Sequence, residues 1–127
     1  MQYLLLIYGN EAGMKSATEA DRNAMFNAYG EFTANIIKSG HMRAGDALQP
    51  SSTATTVRVR EGRTLSTDGP FAETKEQLGG YYLVEAKDLD EAIKLAARVP
   101  GAQFGSIEVR PVMALPPDYP RPPAARA

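Results

Sequence analysis

The chain of 127 residues contains no cysteine and a single histidine. Without cysteine there can be no disulfide, no thiolate nucleophile and no zinc or iron–sulfur site built on cysteine. One histidine is too few for a histidine-rich metal site within one chain, and no phosphate-loop motif or metal-ligand spacing is present. The sequence therefore predicts neither a metal nor another cofactor. Its length predicts a single domain with a hydrophobic core of its own.

Long apolar runs and an excess of charge of one sign are absent too. The longest apolar run, residues 3–8, is far shorter than the ~18 residues of a membrane span, and no basic segment precedes it as in a signal peptide. Fourteen basic and fifteen acidic residues give a net charge of −1, with no basic block for nucleic acid or an anionic membrane. We expect a cytoplasmic protein that binds neither.

Two helices are predicted from caps and apolar spacing. Ser16-Ala17-Thr18-Glu19 has the pattern of a capping box, and the helix that follows should end at Ser39-Gly40. Asp88-Leu89-Asp90-Glu91 should cap the second helix, which Pro100-Gly101 stops. The apolar stripe of the first helix comprises Met25, Tyr29, Phe32 and Ile36, and that of the second comprises Leu89, Ala92, Ile93 and Ala96.

Strands are predicted on both sides of each helix. Residues 3–8 are apolar on both faces, which is typical of a central strand. Further strands are expected at residues 81–86 and 104–112, and a short, weak one at residues 41–48. Residues 55–60 and 63–67 should form a hairpin around Glu61-Gly62. The resulting order β-α-β-hairpin-β-α-β matches an α+β, ferredoxin-like split β-α-β plan with an added hairpin.

In this plan the helices cover only one face of the sheet. The opposite face should then be apolar and larger than a monomer usually exposes, so we expect two chains to pack face to face as a homodimer. The residues expected on that face are Tyr3, Leu5, Tyr81 and Leu83. Residues 114–127 contain five prolines and should form an extended tail after a domain of residues 1–113, either disordered or packed on a partner.

Turn formers and ionisable groups are concentrated in residues 68–82, directly before an apolar strand. Asp68-Gly69-Pro70 is a turn signal, and Phe71 is expected to anchor the turn by burying its ring. Three charged residues, Glu73, Lys75 and Glu76, follow within four positions. This segment is the first place to look for a pocket.

Asp46 and Asp68 are the candidate acid–base residues, because partial burial or a second carboxylate would shift their pKa toward neutrality. Asp46 is favoured by its place in an apolar strand segment. Arg58 or Lys75 would fix an anionic small molecule, since a guanidinium binds carboxylates and phosphates in a bidentate manner. The remaining candidate binding residues are Glu73, Glu76 and His41.

Each of these residues has a structural alternative. Asp68 could cap the turn, and His41 could cap the C-terminus of the first helix by interacting with the helix dipole. Tyr81 and Tyr82 are expected in the core and at the dimer interface. Glu73 and Glu76 could pair with nearby cations, namely Lys75, Arg58, Arg63 and Arg110.

Asp68-Gly69-Pro70-Phe71, followed by Glu73-Thr74-Lys75-Glu76 and Gly79-Gly80, resembles the signature of the DGPF branch of the YCII-related family. Further segments resemble the family pattern across residues 1–113, among them Gly45-Asp46-Ala47-Leu48-Gln49-Pro50 and Ile107-Glu108-Val109-Arg110-Pro111-Val112. The resemblance implies a ferredoxin-like fold that forms a dimeric α/β barrel with a pocket between sheet and helices. It also implies a functional link to an extracytoplasmic-function sigma factor.

Short relatives in this family carry a His–Asp pair proposed as catalytic, with the histidine in the first helix. Residues 18–38 contain no histidine, so that pair is not carried over to this chain. Two functions stay open. A dimeric small-molecule-binding or regulatory accessory protein is favoured, because no catalytic set is complete; the alternative is a small enzyme that uses Asp46 and Asp68 on an anionic small molecule.

Overall fold

The computed structural model describes residues 1–123 as an α+β fold, as predicted. Its strands are β1 (Gln2–Gly9), β2 (Met42–Ala47), β3 (Thr55–Arg60), β4 (Arg63–Asp68), β5 (Gln77–Glu85) and β6 (Ser106–Pro111). Its helices are α1 (Glu11–Lys15), α2 (Glu19–Lys38) and α3 (Leu89–Arg98), and short 3-10 turns lie at Ser51–Thr53 and Pro100–Gln103.

Four strands form one antiparallel sheet in the order β2-β5-β1-β6. The two strands that follow helices α2 and α3 thus lie at the two edges of the sheet, and β1 and β5 lie at its centre. This order is consistent with a ferredoxin-like fold. Strands β3 and β4 pair only with each other, as a separate two-stranded hairpin.

A capping box begins α2 with Thr18, one of the predicted cap residues, but its acidic partner is Asp21 and not Glu19. The Thr18 side chain accepts a hydrogen bond from the Asp21 N–H (3.1 Å), and the Asp21 carboxylate accepts one from the Thr18 N–H (3.3 Å). Glu19 is instead the first residue of the helix. A short helix, α1, lies between β1 and α2, and the Asn10 side chain caps its N-terminus.

The core lies between the sheet and helices α2 and α3. Leu5 and Ile36 have no exposed surface, and Tyr3 is 2% exposed. Tyr3 and Leu5 therefore face the helices, and their predicted position on the opposite face is wrong. Because β1 is apolar on both sides, its sequence does not indicate which side meets the helices, and a shift by one residue exchanges the two.

The buried stripe of α3 is also rotated from the predicted one. Ala92, Leu95 and Ala96 are buried, whereas Leu89 and Ile93 are each about half exposed. The two alanines are four residues apart, on one side of the helix, and Leu95 packs beside them. Leu89 and Ile93 were wrongly predicted as core because the apolar residues of α3 extend beyond this stripe.

The hairpin has the predicted turn. Glu61 and Gly62 have φ values of 52° and 73°, and positive φ at both central residues is typical of the type I′ turn that joins two strands tightly. Every side chain of β3 and β4 is exposed except that of Thr56, which is half-buried. The hairpin therefore contributes nothing to the core of its own chain.

The segment after the hairpin differs from expectation in two respects. Phe71 is 78% exposed, so the prediction that it anchors the turn by burial is wrong. Strand β5 begins at Gln77, which places Gly79 and Gly80 inside the strand rather than before it. Gly80 is buried there against the backbone of β2.

Beyond β6 the chain forms neither helix nor strand up to residue 123. It is not simply extended, because the Tyr119 N–H donates to the Pro116 carbonyl (3.0 Å) and closes a turn. The Arg121 guanidinium braces this turn by donating to the Leu115 carbonyl (3.2 Å). The rest of the predicted tail, residues 124–127, lies outside the described residues.

Candidate functional site

One face of the sheet is turned away from the helix-side core, and we call it the open face. The strand registers place two rows of residues across it. The first row is Asp46, Tyr81, Leu6 and Glu108, and the second is Ala44, Leu83, Leu4 and Arg110. Tyr81 and Leu83 thus lie on the predicted face, and Leu4 and Leu6 take the places expected for Tyr3 and Leu5.

The leucines occupy the middle of the open face, and ionisable groups lie at its edges. Leu4, Leu6 and Leu83 are half-buried by their neighbours in the sheet. Asp46 lies on edge strand β2, and Glu108 lies on the other edge strand, where it forms an ion pair with Arg110. An apolar floor with a few polar groups at its rim is typical of small-molecule sites.

Asp46 is held by Tyr81, the residue directly opposite it on β5. The Tyr81 hydroxyl donates a hydrogen bond to Asp46 Oδ2, with an oxygen–oxygen distance of 2.7 Å. Asp46 is exposed, so its expected burial in an apolar strand is wrong, and its neighbour Tyr81 is half-buried. The carboxylate belongs to the surface of the open face rather than to the core.

Two glycines make this close pairing of β2 and β5 possible. A Cβ atom added to Gly80 would lie 2.9 Å from the Asp46 carbonyl oxygen, and one added to Gly45 would lie 3.0 Å from the Tyr82 ring. Contacts of that length exclude a side chain at Gly80 without backbone movement. The small residues at these positions therefore set the distance across which Tyr81 reaches Asp46.

The hydrogen bond with Asp46, and secondly the negative charge of Asp46, raise the pKa of the Tyr81 hydroxyl above its usual 10.0. Tyr81 therefore stays protonated at neutral pH and acts as a hydrogen-bond donor. In the described part of the chain no hydrogen bond reaches Asp46 Oδ1. The pair can thus offer a ligand one carboxylate oxygen as an acceptor, next to an apolar floor.

The other predicted site residues are not brought to this pair. Arg58 lies on the exposed hairpin strand β3, and Asp68 is the last residue of β4. Neither forms an ion pair within residues 1–123, and the Asp68 side chain caps no turn there. The combination of Asp46 and Asp68 as two cooperating carboxylates therefore has no geometric support.

His41 lies before the first residue of β2, whereas Asp46 is close to its end, roughly 16 Å away at the usual rise per strand residue. Its imidazole contacts the Ser39 hydroxyl through Nδ1 (2.7 Å) and the Glu91 carboxylate through Nε2 (3.3 Å). His41 thereby joins the C-terminal end of α2 to the first turn of α3. This position fits the structural alternative better than a binding role.

The three charged residues after Phe71 do not act as a group. Glu76 accepts a hydrogen bond from the Ser106 hydroxyl (2.7 Å) at the start of β6. Glu73 and Lys75 are exposed, and no ion pair of either is found within residues 1–123. The expected pairing of the glutamates with Lys75 or the arginines is wrong, since the salt-bridge partner of Arg110 is Glu108.

Glu11 is a structural carboxylate that the sequence did not single out. Its two oxygens accept hydrogen bonds from the Ser51 N–H (2.8 Å) and hydroxyl (2.6 Å), and its own N–H donates to the Gln77 side chain (3.0 Å). The Ser51 hydroxyl first, and then the Ser51 N–H, lower the pKa of Glu11. This network fixes the loop after β2 to the start of β5, close to Asp46 in the sheet.

Neither Tyr81 nor Glu11 was recognised as a polar anchor, for different reasons. Tyr81 was expected at a dimer interface, and its link to Asp46 depends on the register of two strands far apart in sequence. Glu11 carries no motif at all. In the range 1–123 no group of three His, Asp or Glu side chains is placed to hold a metal ion.

The helices of the described residues include none that combines the length and apolar character of a membrane span.

A family model described as the YCII-related domain matches residues 1–116. An uncharacterised protein of Rhizobium meliloti (strain 1021) is 34% identical over 114 residues, which cover 88% of this chain and 92% of that protein. The matched region includes every helix and strand described above. The resemblance inferred from residues 68–80 is confirmed at this level: the chain belongs to the YCII-related family.

Proposed function

We propose that this protein is a homodimer that binds a small molecule on the open face, at the Asp46–Tyr81 pair. The observation that supports this most directly is the 2.7 Å hydrogen bond between the two side chains. It orients a carboxylate at the border of a floor formed by Leu6 and Leu83. A fixed acceptor next to apolar surface is the arrangement by which binding sites orient a ligand.

The ligand class follows from the charges around this pair. The Asp46 carboxylate accepts the hydrogen bond from Tyr81, and the cations predicted to hold an anion, Arg58 and Lys75, form no ion pair with it. A ligand with a hydroxyl or amino donor and an apolar body fits this surface better than an anion does. This differs from the anionic ligand expected from the sequence.

The dimer would complete the site. The open face carries Leu4, Leu6, Leu83 and Tyr81, and a surface of this kind is commonly covered by a partner. Face-to-face packing of two such sheets about 10 Å apart would enclose the space above each Asp46. The dimeric barrel, the DGPF branch, the sigma-factor link and the cytoplasmic location stay predictions.

The alternative is an enzyme in which the Asp46–Tyr81 pair transfers a proton. The raised pKa of Tyr81 keeps this hydroxyl protonated, so it would position a substrate by a hydrogen bond and would not act as the base. Asp46 would then be the base, in place of the two-carboxylate scheme with Asp68. We favour binding because no nucleophile or further acid–base group contacts the pair among the described residues.

Thermal melts with a panel of apolar alcohols and amines would test the site. We expect at least one compound to raise the Tm of the wild type, and Asp46→Asn to abolish that shift, because the charged acceptor is lost. Asp90→Asn, an exposed carboxylate in the first turn of α3, is the matched control and should keep the shift. Ligand responses unchanged in Asp46→Asn would contradict the proposed site.

The same panel separates binding from catalysis. Mass spectrometry of each stabilising compound after incubation with the protein should show no conversion if the protein only binds. Conversion by the wild type that Asp46→Asn abolishes would favour the enzyme. The dimer is tested separately by light scattering, in which a monomer mass at micromolar concentration would contradict it.

A further inference from the structure

The β3–β4 hairpin exposes apolar side chains that its own chain does not cover. Strand β3 alternates between valines on one face and arginines on the other. Val57 and Val59 are each 60% exposed, and the residues opposite them, Ser66 and Thr64, are exposed as well. We call this side of the hairpin the valine face.

A two-stranded hairpin without further packing is only marginally stable in water. Here each strand has six residues, both outer edges are unpaired among residues 1–123, and no hairpin side chain is buried. Side-chain contacts between the hairpin and another surface would therefore have to stabilise its two extended strands. The valine face carries two exposed valines for such contacts, whereas the other face carries one exposed apolar residue, Leu65, among the arginines.

A second uncovered apolar surface lies at the opposite edge of the sheet. It is a shallow groove of about 290 Å³ between α3 and β6, on the helix side. Its lining residues are Ile93, Ala96, Ala97, Ala102, Ile107 and Val109. Ile93 is 49% exposed there, although it belongs to an otherwise well-packed helix. We call this surface the α3–β6 groove.

The hairpin does not fill the groove of its own chain, because Val57 and Val59 are each 60% exposed and Ile93 is 49% exposed. The hairpin follows β2, and β2 and β6 are the two edge strands of the same sheet. Three strand spacings, about 14 Å, separate those edges. The groove of a second copy is closer to the hairpin. In a dimer whose twofold axis is parallel to the strands, β2 of one sheet lies against β6 of the other.

The open face alone is small for a stable interface. Four strands of six to nine residues cover on the order of 400 Å², which is about half of the ~800 Å² per partner in a standard interface. A hairpin with two six-residue strands adds on the order of 200 Å². Each subunit of a twofold dimer both gives and receives a hairpin, so the arm enlarges the interface at both edges of the sheet.

We infer that the hairpin is an exchanged arm, whose valine face packs into the α3–β6 groove of a second copy of this chain. This inference rests on the proposed homodimer and specifies its twofold axis, parallel to the strands. Six residues of strand span about 20 Å, which matches the sum of about 10 Å between the two sheets and about 10 Å from the partner's sheet to its helix layer. The net charge of −1 per chain opposes such association very little.

The first test is the dimer dissociation constant from a sedimentation dilution series. Val57→Lys/Val59→Lys and, separately, Ile93→Lys should each weaken the dimer at least tenfold. The matched control is Arg60→Gln/Arg63→Gln, which changes the other face of the same hairpin and should leave the constant unchanged. Because Val57, Val59 and Ile93 lie outside the core, circular dichroism should show a folded chain in every variant.

The second test uses the absence of cysteine from the chain. In Val59→Cys/Ile93→Cys, a short bismaleimide should produce a covalent dimer at protein concentrations where the wild type is dimeric. Val59→Cys alone should not crosslink, since the two arms are far apart in the proposed dimer. Efficient crosslinking of that single variant would overturn the inference, because the arms would then meet each other.

The remaining outcomes separate this inference from the dimer itself. A wild type that is monomeric at all concentrations overturns both. If Leu6→Lys on the open face dissociates the dimer but the valine and Ile93 variants keep the wild-type constant, only the arm is wrong. Loss of dimer in all three, with the arginine control unchanged, supports the arm and the face-to-face contact together.

Discussion

The Tyr81 hydroxyl on β5 donates to the Asp46 carboxylate on β2 across 2.7 Å, in a row of the sheet that also contains Leu6. The contact joins two residues 35 positions apart in the chain. Its consequence is chemical as well as structural: the phenol holds the carboxylate in one position, and the carboxylate keeps the phenol protonated. Both effects are measurable without knowledge of the ligand.

Alkaline titration should show that Tyr81 ionises above the usual pKa of 10.0, because the Asp46 hydrogen bond and charge both favour the neutral phenol. Asp46→Asn should lower the pKa of Tyr81 toward 10.0, since the negative charge is removed. The chemical shift of Tyr81 Cζ, assigned with Tyr81→Phe, reports this ionisation. Unchanged titration of Tyr81 in Asp46→Asn would contradict the contact.

The raised pKa of Tyr81 also makes the stability of the fold depend on pH. The folded-state pKa is raised, so the stabilisation is fully present below the unfolded-state pKa near 10.0 and is lost as pH rises through the folded-state value. The wild type should therefore lose more Tm than Tyr81→Phe does on going from neutral to strongly alkaline pH. Tyr119→Phe, in the 52%-exposed tail position, is the control and should follow the wild type.

Glu11 gives the opposite pH dependence. The two hydrogen bonds from Ser51 lower its pKa below 4.5, so its stabilisation is present above that value and is lost as pH falls through the folded-state pKa. Glu11→Gln should reduce Tm at neutral pH, and its difference from the wild type should shrink in acid. Thermal melts between about pH 7 and pH 2 would measure this convergence.

Glu73→Gln is the matched control for Glu11. Glu73 is an exposed glutamate with no hydrogen bond among residues 1–123, so its replacement should leave the acid dependence of Tm unchanged. Equal pH profiles for the two variants would show that Ser51 does not stabilise the Glu11 carboxylate in solution.

The order of the elements could be predicted because local signals determine it. Residues 3–8 are continuously apolar, Glu61-Gly62 supports a type I′ turn, and Asp88 caps α3. These features depend on a few neighbouring residues each. The sequence could not indicate the side on which Leu5 lies, because β1 is apolar on both faces and only packing against α2 and α3 distinguishes them.

Of the two residues in the candidate site, the sequence could indicate only one, for a related reason. Asp46 could be singled out as a carboxylate in a strand, but its partner Tyr81 depends on the register between β2 and β5. Residues 68–76 suggested a functional site because turn-forming and charged residues are concentrated there and because the segment carries the family signature. The structure gives this segment a smaller chemical role than the sequence suggested. Phe71 illustrates the limit: a large apolar ring suggested burial, and yet it is 78% exposed.

Gly80 and Gly79 offer a direct test of how closely β2 and β5 approach. A Cβ at Gly80 would meet the Asp46 carbonyl oxygen at 2.9 Å, whereas one at Gly79 would find only the Ile7 carbonyl oxygen, at 3.9 Å. Gly80→Ala should therefore cost about 1–3 kcal/mol in free energy of unfolding, as overpacking against backbone typically does. Gly79→Ala should change it by less than about 1 kcal/mol, since a compatible Gly-to-Ala change mainly restricts the unfolded chain. Urea denaturation at one protein concentration measures both, and equal losses would show that the strands are further apart at Gly80 than the structure indicates.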